Sequence, residues 1–262
     1  MKLEILRKTP KGTTKHPPVL FVHGMCHGAW CWQDQFLPYF AEQGYSAAAL
    51  SLRGHGASEG RASLRWASIQ NYVDDVAQAV KELGTPPILV GHSMGGFIVQ
   101  KYLETHSAPA AVLLASVPPS GIMGPSLRAA KHHPLLFAKV CLTFSIYPLI
   151  HTPALFKQLF LSPSYPDPLA EKYFSLAQDE AFRAYLDMLF FTRVRAKKVT
   201  TPLLVMGAAD DNAIHVNEVK ATARAHGTQA VILPHMGHDM MLETRWQATA
   251  DGILEWLKNK GM

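Results

Sequence analysis

The stretch PPILVGHSMGGFIVQKYL, Pro86 to Leu103, sets a serine among small residues between two apolar runs. Ile88-Leu89-Val90 leads in and Phe97-Ile98-Val99 leads out. The incoming run reads as a buried strand, and the residues from Met94 to Thr105 read as a helix. Gly91-His92-Ser93-Met94-Gly95 at such a junction has the form of a nucleophile elbow. A sharp strand-to-helix turn strains the serine backbone and pushes its hydroxyl over the carboxyl end of a sheet. Small residues two positions to either side let the two segments pass closely. The helix that follows aims its free N–H groups and its positive end at the same spot.

Working outward, Leu3 to Leu6 makes a short first strand, and Val19 to Val22 and Tyr45 to Leu52 make two more. Ile69 to Leu83 carries apolar residues at helical spacing and is stopped by Gly84. Ala110 to Val117 is a further buried strand. The rhythm then breaks. Pro118 to Arg195 holds helical pieces, many prolines and aromatics, and no clear strand. From Val199 the alternation resumes, with strands at Leu203–Met206 and Ala230–Leu233 and helices at Val216–Ala225 and Trp246–Lys258. Strands alternating with helices predict an α/β fold with a mostly parallel central sheet and helices on both faces. Residues 1–120 and 196–262 would form its core, and residues 121–195 an inserted helical cap.

Composition narrows the function. The chain has 262 residues, 48% of them apolar, enough for one α/β domain with an insertion. A net charge of +5 is scattered rather than gathered on one face, which argues against a nucleic-acid partner. Three cysteines at irregular spacing form no disulfide framework, and the opening MKLEILRKTPKGTTK is too polar for a secretory segment. A reduced, cytoplasmic protein is the expectation. No apolar run reaches the roughly 20 residues of a membrane-spanning helix, so no transmembrane anchor is expected. His23 and His27 stand four apart, but no His-Glu-x-x-His signature is present, so no metal is expected.

A serine hydroxyl needs a base to take its proton. LPHMGHDMMLE, after the strand ending at Leu233, offers His235 and His238, and Gly237 would let the loop turn at His238. The imidazole needs a carboxylate to fix its tautomer. LLVMGAADDNAI supplies Asp210 and Asp211; the spacing from Gly207 favours Asp210, with Asp211 as the alternative. Charge developing on a substrate oxygen needs two donors. Met94 N–H would be one, and Met25 N–H, in HGMCHGAW, the other. His23 reads as a structural hydrogen-bonding residue, Asp74 and Asp75 as solvated, and Glu243 as part of the first turn of the last helix. His92 has no role on this reading.

The motifs VLFVHG, LRGHGASEG, LVGHSMGG, VMGAADD and MGHDMMLE together resemble the α/β-hydrolase superfamily, in the form of an esterase- or lipase-like serine hydrolase with a helical cap. The resemblance implies the α/β-hydrolase fold, a Ser93-Asp210-His238 triad in that chain order, a two-amide oxyanion hole and no cofactor. It also weighs for His238 over His235. HGMCHGAW is similar to the loop of the plant esterase and hydroxynitrile lyase branch, and RGHGASEG to the lipase and monoacylglycerol-lipase branch. The lyases carry Thr where this chain has Gly24, and Lys where it has Asp239, so lyase activity is disfavoured. Ser93 excludes the relatives with an aspartate nucleophile. Ser51 stands where many relatives have Asp, in a loop read as structural.

The implied activity is hydrolysis of a carboxylic ester with an apolar short- to medium-chain or aromatic acyl group. Thioesters, lactones, carbon–carbon substrates or a non-catalytic receptor role are the alternatives. The expected partners are a small-molecule ester and water, with transient contact of the cap with a lipid surface. Trp30, Met123, Phe137, Phe144, Phe156, Phe160 and Phe190 are the candidate pocket residues.

Overall fold

Seven short strands form one sheet in the order β1-β3-β2-β4-β5-β6-β7 in the computed structural model, which describes residues 1–12 and 14–262. They are β1 (Glu4–Lys8), β2 (Val19–Val22), β3 (Ala47–Ser51), β4 (Ile88–His92), β5 (Ala111–Leu114), β6 (Leu203–Ala208) and β7 (Ala230–Leu233). Only β1 runs antiparallel, against β3; every other pairing is parallel. Strands β2 to β6 are buried along their whole length, which is why they read as unbroken apolar runs rather than alternating ones. Strand β5 stops short of the expected Val117 because Ala115 takes a φ of 42°.

Before β6 lie α1 (Trp30–Gln33), α2 (Phe36–Glu42), α3 (Ile69–Leu83) and α4 (Met94–Tyr102). Helix α3 follows its sequence pattern to the residue. Ser68 and Asn71 form a reciprocal capping box at its start, and Gly84 ends it with a φ of 73°. Asp74 is exposed on this helix, but Asp75 is not the solvated residue expected. It is buried, and its carboxylate receives the Arg53 guanidinium, with Nη2 to Oδ1 at 2.6 Å, and the Arg53 amide at 2.9 Å.

Between β5 and β6 the chain is helical: α5 (Met123–His132), α6 (Pro134–Thr143), α7 (Pro153–Phe160), α8 (Asp167–Phe174) and α9 (Phe182–Leu186), which runs into a π-helical turn at Asp187–Phe191. Proline sits in the first turn of α6, α7 and α8, where its missing N–H has no intrahelical partner to lose. Those prolines are thus helix starts. The chain closes with α10 (Val216–Ala225) and α11 (Trp246–Asn259). Glu243 lies before α11 rather than in it. Its buried carboxylate accepts from Ser162 N, Ser162 Oγ and Gly237 N, tying the end of α7 to the segment before α11.

Glu180 is the counterpart on the other side. It is fully buried, and its carboxylate accepts from Tyr72 Oη at 2.6 Å and from the amides of Ala181 and Cys26 at 2.7 and 3.2 Å. His55 Nε2 lies 3.2 Å away. Burial alone would raise the pKa of this carboxyl group, but the His55 charge and these hydrogen bonds bring it down to about 2. A depressed carboxylate stabilises the fold above its ordinary pKa and loses that contribution as pH falls through the folded value. Glu180→Gln should therefore cost on the order of 3 kcal/mol at pH 7. It should also flatten the loss of stability that the wild type shows from pH 4.5 toward 2. Urea unfolding across that range checks both; an unchanged midpoint at pH 7 would contradict the assignment.

Candidate active site

Strand β4 runs into α4 through a single residue, Ser93, with φ 52° and ψ −118°. Few non-glycine residues adopt a positive φ, and here the sheet and helix fix it from both sides. Ser93 N donates to Leu114 O at 2.9 Å, and Ser93 O accepts from Val117 N at 3.1 Å. The turn is close enough that Gly95 cannot carry a side chain: a Cβ there would run into the carbonyls of Val22 and His23. Gly24 is held to glycine by the same elbow. A Cβ on it would meet His92 Nδ1 at 2.8 Å and Ser93 Cβ at 2.9 Å, so its absence makes room for the elbow itself.

His238 is brought to the same place by the loop after β7. Its Nδ1 donates to Asp211 Oδ2 at 2.8 Å. The sequence reading chose Asp210, and the structure corrects it. Backbone bonds from Ala209 N to Leu233 O and from Asp210 N to Met236 O keep the chain alongside the neighbouring segment through Asp210, whose side chain points to solvent. Asp211 is the first residue past that pairing. Its carboxylate is buried and held by the amides of Ala213 and Ile214, at 2.7 and 2.8 Å on Oδ1, which leaves Oδ2 for the imidazole. Burial opposes a charge on His238, yet the Asp211 carboxylate and its hydrogen bond raise the pKa above 6.5. Nε2 of His238 is buried and has no hydrogen-bond partner among the described residues. His235, the other histidine of that loop, is exposed.

His92 acquires a role here. Its Nε2 donates to the backbone carbonyl of His238 at 3.0 Å, and its ring lies 4.7 Å from the His238 ring. Burial, with the His238 charge, pushes its pKa down to about 3, so it is a neutral clamp on the loop. His23 is likewise neutral, its pKa lowered to about 3 by burial and His55. It accepts from Leu52 N on Nε2 and donates from Nδ1 to Gly24 O, the structural part read for it. Ser51 Oγ accepts from Ala29 N and donates to Glu4, so that residue also supports the loop.

The loop holding Met25 is fixed through one peptide unit. His27 donates from Nδ1 to Met25 O at 2.6 Å and from Nε2 to Asp239 Oδ2 at 2.9 Å. Both nitrogens donate, so the ring is an imidazolium. Burial opposes that charge, but Asp239 raises the His27 pKa above 6.5 while the pKa of Asp239 itself falls. Glu180 accepts from Cys26 N on the other edge of the same peptide. A cation on the carbonyl and an anion on the amide lock the Met25–Cys26 peptide, where Cys26 has φ 67°. Among the described residues neither Met25 N nor Met94 N, the latter at the open start of α4, has a hydrogen-bond acceptor. The sequence carried no sign of this bracing, because Asp239 and Glu180 lie 212 and 154 residues from the groups they hold.

Ser93, Met25 and His238 line one cavity of about 380 Å³. Its wall is mostly apolar, with Val117, Ile122, Leu149, Leu155 and Ile214 among its residues, and Arg128 is the one Lys or Arg that lines it among the described residues. That arginine is already bound to Glu218 at 2.6 Å. Of the aromatic candidates, Phe137 and Phe160 line the cavity. Phe156 does not; it is buried against Phe160 and Phe174. Trp30 stacks between His27 and Tyr173. Met123, Phe144 and Phe190 are exposed, 39%, 50% and 56% respectively. Helical spacing could not separate these cases, since each depends on which neighbour covers the ring.

The sequence pattern of the alpha/beta hydrolase family matches residues 19–252. A probable esterase, PIR7A, of Oryza sativa subsp. indica is 36% identical over 107 residues, which is 38% of this chain and 39% of the rice protein. The chain thus aligns with about two fifths of that relative. Among solved structures, BpoC of Mycobacterium tuberculosis H37Rv, named a putative non-heme bromoperoxidase, superposes with a TM-score of 0.79 at 20% identity, over 99% of this chain and 97% of that one. The esterase EaEST of Exiguobacterium antarcticum gives 0.76 at 18% identity, over 98% and 95%. The strand order, the elbow and the match over 19–252 agree: the chain belongs to the alpha/beta hydrolase family.

Proposed function

We propose that the protein is a serine hydrolase that cleaves carboxylic esters through an acyl-enzyme, with Ser93 as nucleophile, His238 as general base and Asp211 as the acid that orients it. The observation that carries this reading is the shared cavity wall of Ser93 and His238, with Nδ1 of His238 committed to Asp211 and Nε2 free. With Nδ1–H donating to Asp211, neutral His238 keeps its lone pair on Nε2, the tautomer a base for Ser93 needs.

Ser93 Oγ attacks the acyl carbon as His238 takes its proton. The amides of Met25 and Met94 receive the oxyanion; neither has an acceptor among the described residues, so no hydrogen bond there is broken to do so. His238 then protonates the departing alkoxide, and the acyl group stays on Ser93. Water, deprotonated by the same nitrogen, attacks that ester, and His238 returns the proton to Ser93 Oγ as the acid leaves. The apolar cavity, with its one arginine already paired, suits an uncharged medium-length or aromatic acyl group. The rice relative is named a probable esterase, which supports the same class. The position after His238 is Asp239, an anion bound to His27, where the lyases carry a lysine, which disfavours lyase chemistry.

Ser93→Ala should lower kcat on nitrophenyl esters by about 10⁴-fold or more while leaving the unfolding midpoint in place. Retained turnover would remove Ser93 from the mechanism. Asp211→Asn should cost about 10⁴-fold in kcat, and Asp210→Asn less than about twofold; the reverse order would restore Asp210. The base must be neutral, so kcat/KM should rise with pH through a His238 pKa that lies above 6.5. Loss of the Asp211 charge removes what raises that pKa, so the acid limb of Asp211→Asn should move to lower pH. A limb that stays put would show that another group titrates.

A further inference from the structure

Helix α6 presents apolar side chains to solvent. Leu135 is 85% exposed and Leu142 80%, and Leu127 on α5 is 63% exposed. Leu135, Lys139 and Leu142 are spaced i, i+4, i+7, one stripe along α6, and Leu127 and Lys131 stand i, i+4 on α5. A mostly apolar helix is ordinarily covered, and this one leaves a stripe with Leu135 and Leu142 open. The inner side of the same pair, through Ala129, His133 and Phe137, lines the cavity.

Along the chain, the charge of this segment has one sign. No residue from 105 to 166 is Asp or Glu, while Arg128, Lys131, Lys139 and Lys157 all fall within that span. Arg128 is paired with Glu218 and Lys157 with Asp167. Lys131 and Lys139 form no ion pair among the described residues and flank the exposed leucines. From these we infer that the outer face of α5 and α6 docks on an anionic lipid surface. The leucines enter the acyl boundary and the two lysines reach the headgroups from among them. A second copy of the chain fits less well, because a two-fold contact through this face would set lysines against lysines. Docking does not depend on the triad, so it stands or falls apart from the hydrolase reading.

Co-sedimentation with vesicles separates the outcomes. Wild-type protein should bind vesicles of phosphatidylcholine with 30% phosphatidylserine and leave them in 0.5 M NaCl, where the screening length shrinks to a few ångströms. It should bind pure phosphatidylcholine much more weakly. Lys139→Gln should weaken binding about fivefold. The double variant Leu135→Glu with Leu142→Glu should weaken it at least tenfold, with hydrolysis of a soluble nitrophenyl ester unchanged, since neither leucine lines the cavity. Equal binding to both vesicle types, or undiminished binding by the double variant, would overturn the proposal. So would sedimentation of the wild type as a dimer that the double variant splits, which would make the face a contact between copies.

Discussion

The backbone of Ser93 is the constraint on which the rest depends. A residue with φ 52° between a buried strand and a buried helix is held only where both elements are themselves immovable. Strand β4 lies at the centre of the sheet, between β2 and β5, and every one of its residues is buried. The elbow is pressed so tightly against the end of β2 and the residues after it that Gly95 has no room for a side chain beside Val22 and His23, nor Gly24 beside His92 and Ser93. The strain is thus balanced by packing around the hydroxyl, and the hydroxyl is left facing a cavity.

Around that point the polar groups form two buried layers. The first is the imidazole–carboxylate pair of His238 and Asp211, whose hydrogen bond spans 27 residues of sequence. The second lies behind it: the His27 imidazolium on Asp239, neutral His92 on the carbonyl of His238, and Glu180 on the amide of Cys26. Buried ion pairs add little net stability, because desolvation consumes most of the Coulomb energy. Here they fix two loops that carry no regular structure of their own. One bears His238 and the other bears Met25, so the bracing sets the geometry in which the proposed base and oxyanion donor would operate.

Much of this was legible in the chain. Buried strands announced themselves as short apolar runs, α3 by its period and caps, and the elbow by glycines at fixed offsets from Ser93. His238 followed from its place after the last strand and from the resemblance. The aspartate that meets it did not, because two adjacent aspartates offer the same chemistry. The choice is made by the backbone pairing of Ala209 and Asp210 with the segment after β7, a tertiary contact. Asp75 and Glu243 were misread for the same reason: their partners, Arg53 and Ser162, are remote in sequence. The aromatics between β5 and β6 divided three ways, into cavity wall, core and exposed surface, because apolar composition does not say which face of a short helix is covered.

The most direct test of the account is covalent. A serine that is activated by a base and has an oxyanion site beside it attacks the phosphorus of a fluorophosphonate and displaces fluoride. Mass spectrometry of labelled, digested protein should find one adduct, on the peptide that contains Ser93. Labelling should slow by orders of magnitude in His238→Ala. Absence of an adduct from folded wild-type protein, or an adduct on another serine, would contradict the central claim.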